Sequence, residues 1–267
     1  VLTATLDVPD RPMNVFSQDM LRELRTIVDD LAQAKDVKVA LFRSGKDSGF
    51  LAGADIKGFT DVKSSDEASD LIANGQNLFS DVEKLPCKTI AAIHGPCLGG
   101  GLEFSLACNH RIAQDSDATK IGLPEIMLGI IPGWGGTQRL PKQVGLATGL
   151  KMILTGKQLS AAKAFESGLV DRVVTAEHWD AGIADFVTDV LQNRNLDSPT
   201  KRRPLTQRLA DATGIGRAFI FNMTEKQIRS NVEQYPALGG ALKAIRAGYP
   251  GGQAGFDIER EEFVKLI

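Results

Sequence analysis

The sequence predicts an α/β fold in which short strands alternate with amphipathic helices before the chain turns entirely helical. Nearly continuous apolar runs at residues 37–42 and 87–93 are typical of strands buried on both faces. The segments between them carry apolar residues at helical spacing. The last run with strand character covers residues 169–174, and helical patterns and linkers follow it. We therefore predict a core over residues 1–192 and a helical C-terminal region over residues 193–267.

Capping residues mark the helices of the first half. Ser17 is placed to cap a first helix, and a Ser-Ser-Asp-Glu capping box that begins at Ser64 is placed to start a second. Residues 3–8 alternate between polar and apolar side chains, which predicts a half-buried strand. Pro86 ends the second helix and leads directly into the strand at residues 87–93.

The middle of the chain has shorter elements. We predict a helix at residues 102–107, a strand at 110–113, a polar loop at 114–120 and a helix at 143–154. Ser160 then starts a further helix, which Gly168 ends.

The C-terminal region reads as helices and one polar connection. Its predicted helices cover residues 179–191, 215–232, 237–247 and 257–267. One of them carries Leu238, Leu242 and Ile245 on one side, a pattern that favours a role in subunit or domain contacts. The connection at residues 193–204 contains Lys201, Arg202 and Arg203, which are either solvated or positioned to meet a substrate phosphate.

Composition excludes several classes of function. The 267 residues are 43% hydrophobic with a net charge of −2, which predicts a soluble globular protein that binds neither nucleic acid nor an anionic membrane. The three cysteines form no CxxC pair and are expected to be reduced and buried. With three histidines and no HExxH motif, we expect no metal ion. No apolar run reaches the roughly 20 residues of a membrane span, and no signal peptide is recognised.

Two glutamates beside glycine-rich backbone are the candidate catalytic residues. Glu103 follows three consecutive glycines after a predicted strand, and such a turn leaves backbone N–H groups free to receive negative charge. A lone loop glutamate such as Glu125 is normally solvated, but the glycines and prolines crowded around it favour a rigid, functional position. A carboxylate pair beside free N–H donors predicts acid/base chemistry on a carbonyl compound.

Two further positions remain open from the residues alone. The small residues Ala52, Gly53 and Ala54 leave backbone N–H groups open to a ligand, although a tight turn before a helix explains them without any ligand and is the favoured interpretation from these residues alone. His94 is expected to bond a backbone group at the end of its strand rather than to act in catalysis.

Three stretches resemble the motifs of the crotonase (enoyl-CoA hydratase/isomerase) superfamily. They are FLAGADI at residues 50–56, AIHGPCLGGGLE at 92–103 and LPEIMLGIIPGWGGTQRL at 123–140. The resemblance spans nearly the whole chain. It implies a ClpP-like spiral of repeated β-β-α units with a C-terminal helical region.

The resemblance also implies roles for individual residues. Glu103 and Glu125 become the catalytic pair that holds a water, the N–H groups of Ala54 and Gly100 form the oxyanion hole, and Gly133 helps to position the water. Trp134 stands where many members have a smaller residue. Substrate contacts are assigned to Ala52, Asp55, Ile56, Leu98, Gly99 and Trp134.

Within the superfamily the chain is most similar to the hydratase/isomerase region of the multifunctional α-subunit of fatty-acid β-oxidation complexes. The polar loop at residues 114–120 and the tail at 235–245 carry this similarity. It implies a 3-hydroxyacyl-CoA dehydrogenase region after Ile267, with NAD as cofactor only there, and a thiolase subunit as partner. The chain itself is expected to need no cofactor, to form a homo-oligomer and to be cytoplasmic, or in the mitochondrial matrix if eukaryotic.

The resulting expectation is an enoyl-CoA hydratase that converts 2-trans-enoyl-CoA to 3-hydroxyacyl-CoA in fatty-acid β-oxidation, with a second Δ3-Δ2-enoyl-CoA isomerase activity. The alternatives are a stand-alone isomerase or a short-chain hydratase. A non-catalytic acyl-CoA-binding domain is disfavoured because it has no need for two glutamates in glycine-rich settings. A serine hydrolase is disfavoured because the chain lacks a GxSxG motif.

Overall fold

The protein has an α/β architecture in a computed structural model that describes residues 1–55, 64–194 and 203–267. Its strands are β1 (Leu2–Leu6), β2 (Val39–Ser44), β3 (Lys88–Ile93), β4 (Pro96–Leu98), β5 (His110–Asp115), β6 (Lys120–Gly122) and β7 (Arg172–Thr175). Its α-helices are α1 (Gln18–Gln33), α2 (Ser65–Glu83), α3 (Gly100–Ala107), α4 (Gly136–Val144), α5 (Leu146–Thr155), α6 (Ala161–Glu166), α7 (Trp179–Leu191), α8 (Leu205–Ala212), α9 (Gly214–Ile228), α10 (Pro236–Gly248) and α11 (Gln253–Val264). Short 3-10 helices cover Glu125–Leu128 and Ala176–His178.

The main sheet has the strand order β1-β2-β3-β5-β7, and all neighbouring strands in it are parallel. Strands β2 and β3 are buried along almost their whole length, which explains their continuous apolar sequences. Strands β4 and β6 form a second, two-stranded parallel sheet.

Single bridges extend the second sheet and give the fold its repeating unit. Leu51 pairs with Cys97, Phe16 pairs with Ala54, and Ile121 pairs with Leu159. After leaving the main sheet the chain therefore makes a short extended contact in the second layer, and then enters a helix. This β-β-α repetition confirms the predicted fold class.

The serine caps are as predicted. The hydroxyls of Ser17, Ser64 and Ser160 accept hydrogen bonds from backbone N–H groups in the first turns of α1, α2 and α6. Helix α2, whose start the Ser64 hydroxyl caps, packs on α1 and α3. These local signals therefore locate the helices that surround the site.

Three predictions of secondary structure need correction. The predicted helix at residues 143–154 is two helices, α4 and α5, because Gly145 with a φ of 91° breaks the chain direction between them. Helix α4 begins at Gly136, within a stretch that the sequence suggested was a rigid loop, and it contains Pro141. The polar loop at residues 114–120 is shorter than predicted because β5 reaches Asp115 and β6 begins at Lys120.

The C-terminal helices pack mainly against each other and against the core. Leu242 and Ile245 are buried and Leu238 packs on the same core, so this apolar face is covered within the chain rather than left for a partner. Helices α8 and α9 instead carry several exposed apolar residues, namely Leu205, Leu209, Ile215, Phe219 and Met223.

Parts of the predicted C-terminal connection, with Lys201 and Arg202, lie outside the described residues. Arg203 is described and pairs with Asp211 at 2.9 Å. The division at residue 192 stays a prediction. Among the described helices, none has the length and apolarity needed to cross a membrane. The three cysteines are free and buried, as predicted.

Candidate active site

Glu103 is held rigidly at the start of helix α3. Gly99, with a φ of 53°, turns the chain from β4 into this helix, and every residue of α3 is buried. Glu103 is 2% exposed, and its Oε1 accepts hydrogen bonds from the N–H groups of Trp134 at 2.8 Å and Gly136 at 2.7 Å. The loop before α4 therefore orients this carboxyl group through its backbone.

Glu125 lies opposite, on a 3-10 helix that follows Pro124 and ends at Gly129. Its Oε2 is buried and has no hydrogen-bond partner within the described part of the chain. A Cβ atom added at Gly99 would lie 3.1 Å from Oε1 of Glu125, so this carboxyl group lies directly against the glycine turn that leads into α3. The two predicted catalytic glutamates therefore flank one turn.

Both carboxyl groups hold protons more tightly than ordinary glutamates. Burial raises the pKa of Glu103 well above its usual value, and the charges of Glu125 and Glu259 raise it further against the opposing hydrogen bonds from Gly136 and Trp134. Burial raises the pKa of Glu125 to about 8. Such shifts are typical of residues that exchange protons near neutral pH.

One cavity of about 630 Å³ brings the predicted catalytic residues together. Most of its lining is apolar, which suits an acyl chain. The lining residues are Ala52, Gly53, Ala54, Ile72, Gly99, Gly100, Glu103, Pro124, Glu125, Leu128, Ile130, Ile131, Gly133, Trp134, Phe263 and Ile267.

The two predicted oxyanion donors lie on adjoining turns of this cavity. Gly100 is the first residue of α3, so its N–H has no acceptor inside the helix. Around Ala54, the backbone bonds run from Phe16 N to Gly53 O and from Asp55 N to Phe16 O, and no backbone bond described for the chain uses the Ala54 N–H. A Cβ atom added at Gly53 would lie 3.9 Å from the Gly100 nitrogen, so the two turns are neighbours.

The remaining predicted contacts divide into two groups. Ala52, Gly99, Gly133 and Trp134 line the cavity. Asp55 and Leu98 lie outside its lining, since Asp55 pairs with Arg11 at 2.8 Å and Leu98 pairs with Gly122 in the second sheet. Ile56 lies outside the described residues. His94 accepts or donates a bond at the carbonyl of Lys46, away from the cavity, as the sequence suggested.

The indole ring of Trp134 lies against Gly100, one of the two predicted oxyanion donors. It is 3% exposed and packs edge-on against Phe16 and Phe79. A Cβ atom on Gly75 would lie 2.3 Å from the indole nitrogen, and one on Gly100 would lie 2.7 Å from the indole ring. The indole therefore fits only because both positions lack a side chain.

Sequence reasoning named no residue of the last helix as part of the site. Phe263 on α11 and Ile267 beyond its end line the cavity, and Glu259 on α11 bonds to the loop that holds Glu103. A signal was present, because Gly255, Glu259 and Phe263 follow one another at intervals of four and so share a helix face. A glutamate that shares a helix face with a glycine and a phenylalanine is placed toward the protein interior, whereas most glutamates are exposed to solvent.

Comparisons with known proteins identify the family of this chain. Residues 1–214 match the family model described as enoyl-CoA hydratase/isomerase. An enoyl-CoA hydratase from Bacillus anthracis is similar at 30% identity over 95% of both chains, with a TM-score of 0.65. An enoyl-CoA hydratase/carnithine racemase from Magnetospirillum magneticum is similar at 27% identity over 92% of this chain and 88% of that one, with a TM-score of 0.67. DspI from Pseudomonas aeruginosa is similar at 30% identity over 75% of this chain and 74% of that one, with a TM-score of 0.66.

The matching family consists of enoyl-CoA hydratases and isomerases, which are lyases and isomerases that bind acyl-CoA. The chain belongs to the enoyl-CoA hydratase/isomerase family.

Proposed function

We propose that this protein is an enoyl-CoA hydratase, which adds water across the double bond of a 2-trans-enoyl-CoA to give the 3-hydroxyacyl-CoA. The observation that carries the proposal is that one cavity is lined by Glu103, Glu125 and the turns that present the N–H groups of Ala54 and Gly100. Hydration needs a base for the water, an acid for C2 and donors for the enolate oxygen, and these groups supply all three.

The N–H groups of Ala54 and Gly100 are proposed to hold the thioester oxygen. When the water oxygen bonds to C3, the electron pair of the double bond moves toward the thioester and builds negative charge on that oxygen. Two donors fixed by the backbone stabilise this charge without reorganising, an effect that is worth about 3 kcal/mol for a single donor in other enzymes.

The environments of the two glutamates suggest how they divide the proton transfers. An ionised Glu125 would leave a buried oxygen without a donor, so this residue is the better acid and supplies the proton to C2. Burial raises the pKa of Glu103 as well, but two backbone donors on one oxygen oppose that shift and stabilise its ionised form. Glu125 Oε2 has no such donor in the described part of the chain, so we assign to Glu103 the role of taking the proton from water. Gly133, in the cavity wall, is proposed to help place that water.

A second activity, Δ3-Δ2-enoyl-CoA isomerisation, is proposed for the same site. It moves one proton between C4 and C2, which a single carboxyl group can carry out. Glu125 fits this role because its raised pKa lets it exchange a proton near neutral pH.

The wider context is also a proposal. The sequence features that resemble the multifunctional α-subunit suggest a hydratase part of a β-oxidation enzyme in the cytoplasm or mitochondrial matrix. A dehydrogenase region that uses NAD and a thiolase subunit would then be its partners, while the reaction itself needs no cofactor. A stand-alone isomerase or short-chain hydratase is the alternative.

The test is direct. Incubation with crotonyl-CoA should remove the absorbance of the conjugated thioester, and a 3-enoyl-CoA should first gain that absorbance. Loss with crotonyl-CoA supports a hydratase. A protein that only converts the 3-enoyl substrate is an isomerase, and one that binds acyl-CoA without either change is non-catalytic.

A further inference from the structure

Glu259 is a buried carboxylate that the proposed chemistry does not use. It lies on α11, is 0% exposed and accepts four hydrogen bonds. Its Oε1 accepts from Gln76 Nε2 at 3.0 Å and from the N–H of Gly135 at 2.6 Å. Its Oε2 accepts from the N–H of Thr137 at 3.0 Å and from the Thr137 hydroxyl at 2.5 Å. The four donors belong to two elements that are distant in sequence, α2 and the start of α4. Glu259 therefore joins these two elements to α11.

The four consecutive N–H groups at the start of α4 alternate between two carboxylates. Those of Trp134 and Gly136 bond to Glu103, and those of Gly135 and Thr137 bond to Glu259. Gly135, with a φ of 100°, gives the backbone the left-handed turn from which the four N–H groups diverge. The start of a helix favours negative charge, so one short segment can hold both groups.

The two carboxylates are also coupled electrostatically. Glu259 raises the pKa values of Glu103 and Glu125. Arg139, on helix α4, donates through Nη1 to the Trp134 carbonyl at 2.7 Å and through Nε to Glu83 at 3.0 Å. Arg139 therefore also holds the segment that precedes α4, through the carbonyl of Trp134.

We propose that Glu259 is a positioning residue, which fixes the Trp134–Thr137 turn so that the turn's other two N–H groups hold Glu103 for proton transfer. This inference rests on the proposed hydratase function. Glu259 touches Gly135 and Thr137 rather than substrate, so its effect passes through Glu103. Since misplacement of a catalytic group lowers the rate more than it lowers binding, the signature is a loss in kcat.

If the role of Glu259 were purely structural, its loss would change KM rather than kcat. If Glu259 only anchored α11 on the core, its loss would loosen Phe263 in the cavity wall and raise KM, while Glu103 kept its donors. The split between kcat and KM therefore separates the two roles.

The experiment compares E259Q with E262Q, the same change three residues later on the same helix. Glu262 pairs with Lys243 and Lys265 at the surface and lies outside the cavity lining. Gln at 259 keeps the size of Glu but turns an NH₂ group toward backbone donors. We expect E259Q to lose about tenfold or more in kcat for crotonyl-CoA with less than about threefold change in KM, and E262Q to match the wild type.

A second measurement does not depend on activity. The amide proton shifts of Trp134 and Gly136 report their bonds to Glu103, so E259Q should move them and E262Q should not. If E259Q does not fold, T137V carries the test, because it removes one donor to Glu259 and keeps the side-chain shape.

Three results overturn the inference: an unchanged kcat in a folded E259Q, a loss confined to KM, or unchanged Trp134 and Gly136 shifts. A wild-type protein that does not hydrate crotonyl-CoA refutes the proposed function instead. In that case the amide shifts alone decide whether Glu259 positions the turn.

Discussion

The elements that carry the two glutamates are built in opposite ways. Glu103 belongs to a helix that is buried throughout, and two backbone N–H groups fix its carboxyl group. Glu125 belongs to a one-turn 3-10 helix whose following residues Met127 and Leu128 are 73% and 61% exposed. One of its oxygens is buried without a donor in the described chain.

This difference shows how one protein can give two identical side chains different jobs. Backbone donors favour a carboxylate that stays charged and accepts a proton, whereas a buried oxygen without a donor favours a carboxylic acid that gives one. Three predictions test whether the difference in surroundings is also a difference in role.

The largest expected effect comes from replacing each glutamate by glutamine. E103Q should lower hydration by about 10²-fold or more and leave most of the isomerase rate, because isomerisation needs one carboxyl group. E125Q should lower both rates by a similar factor. Hydration of crotonyl-CoA and isomerisation of a 3-enoyl-CoA, measured for both variants, give the comparison. A full hydratase rate in E103Q, or a full isomerase rate in E125Q, would show that the roles are wrongly assigned.

A smaller effect should follow from adding one methyl group beside either glutamate. A Cβ atom at Gly136 would lie 2.8 Å from Oε1 of Glu103, and one at Gly99 would lie 3.1 Å from Oε1 of Glu125. G136A should therefore lower hydration more than isomerisation, and G99A should lower both, each by about tenfold. Gly214 has open space around it, so G214A is the control and should retain both rates. Equal losses of both activities in G136A would contradict the separation of roles.

The smallest effect concerns stability and pH. The pKa of Glu125 is about 8 in the folded protein, above the usual 4.5, so folding binds its proton and stability falls as the pH rises between these values. E125Q has no proton to lose. The Tm of E125Q relative to that of the wild type should therefore increase between pH 5 and pH 8.5. Each kcal/mol of unfolding free energy that the wild type loses corresponds to about 2–4 °C in this difference.

E262Q should show the opposite dependence of Tm on pH, because the pKa of Glu262 is lowered rather than raised. Burial raises the pKa of Glu262, but bonds from Lys243 and Lys265 outweigh it and leave that pKa below its usual value. The Tm of E262Q should therefore fall increasingly behind that of the wild type as the pH rises toward about 4.5, and the difference should stay constant above that pH. A Tm difference for E125Q that does not change with pH would mean that Glu125 titrates normally.

Both glutamates could be predicted because their signals are local. Glycines before Glu103 and prolines and glycines around Glu125 are visible within a few residues of each, and serine caps located three helices. Short strands such as β4 and β6 were missed because three residues carry too little periodicity.

Other features depend on contacts between distant parts of the chain. Helix α4 was read as a loop at its start because its glycines and Pro141 disfavour a helix locally, whereas bonds to Glu103 and Glu259 stabilise its first turn. Glu259 lies more than 120 residues beyond that turn, as the separations of 122 and 124 show, so no short motif joins them. The position of α11 in the cavity wall likewise follows from packing alone.

The packing of the Trp134 ring restricts which side chains are possible at residues 75, 100 and 134 together. Residues 75, 100 and 134 share one volume, since the ring of Trp134 occupies the space that side chains at Gly75 and Gly100 would fill. Across relatives these positions should covary, with larger residues at 75 or 100 appearing only alongside a small residue at 134. A designer who wishes to reshape this wall must therefore change the three positions as one unit.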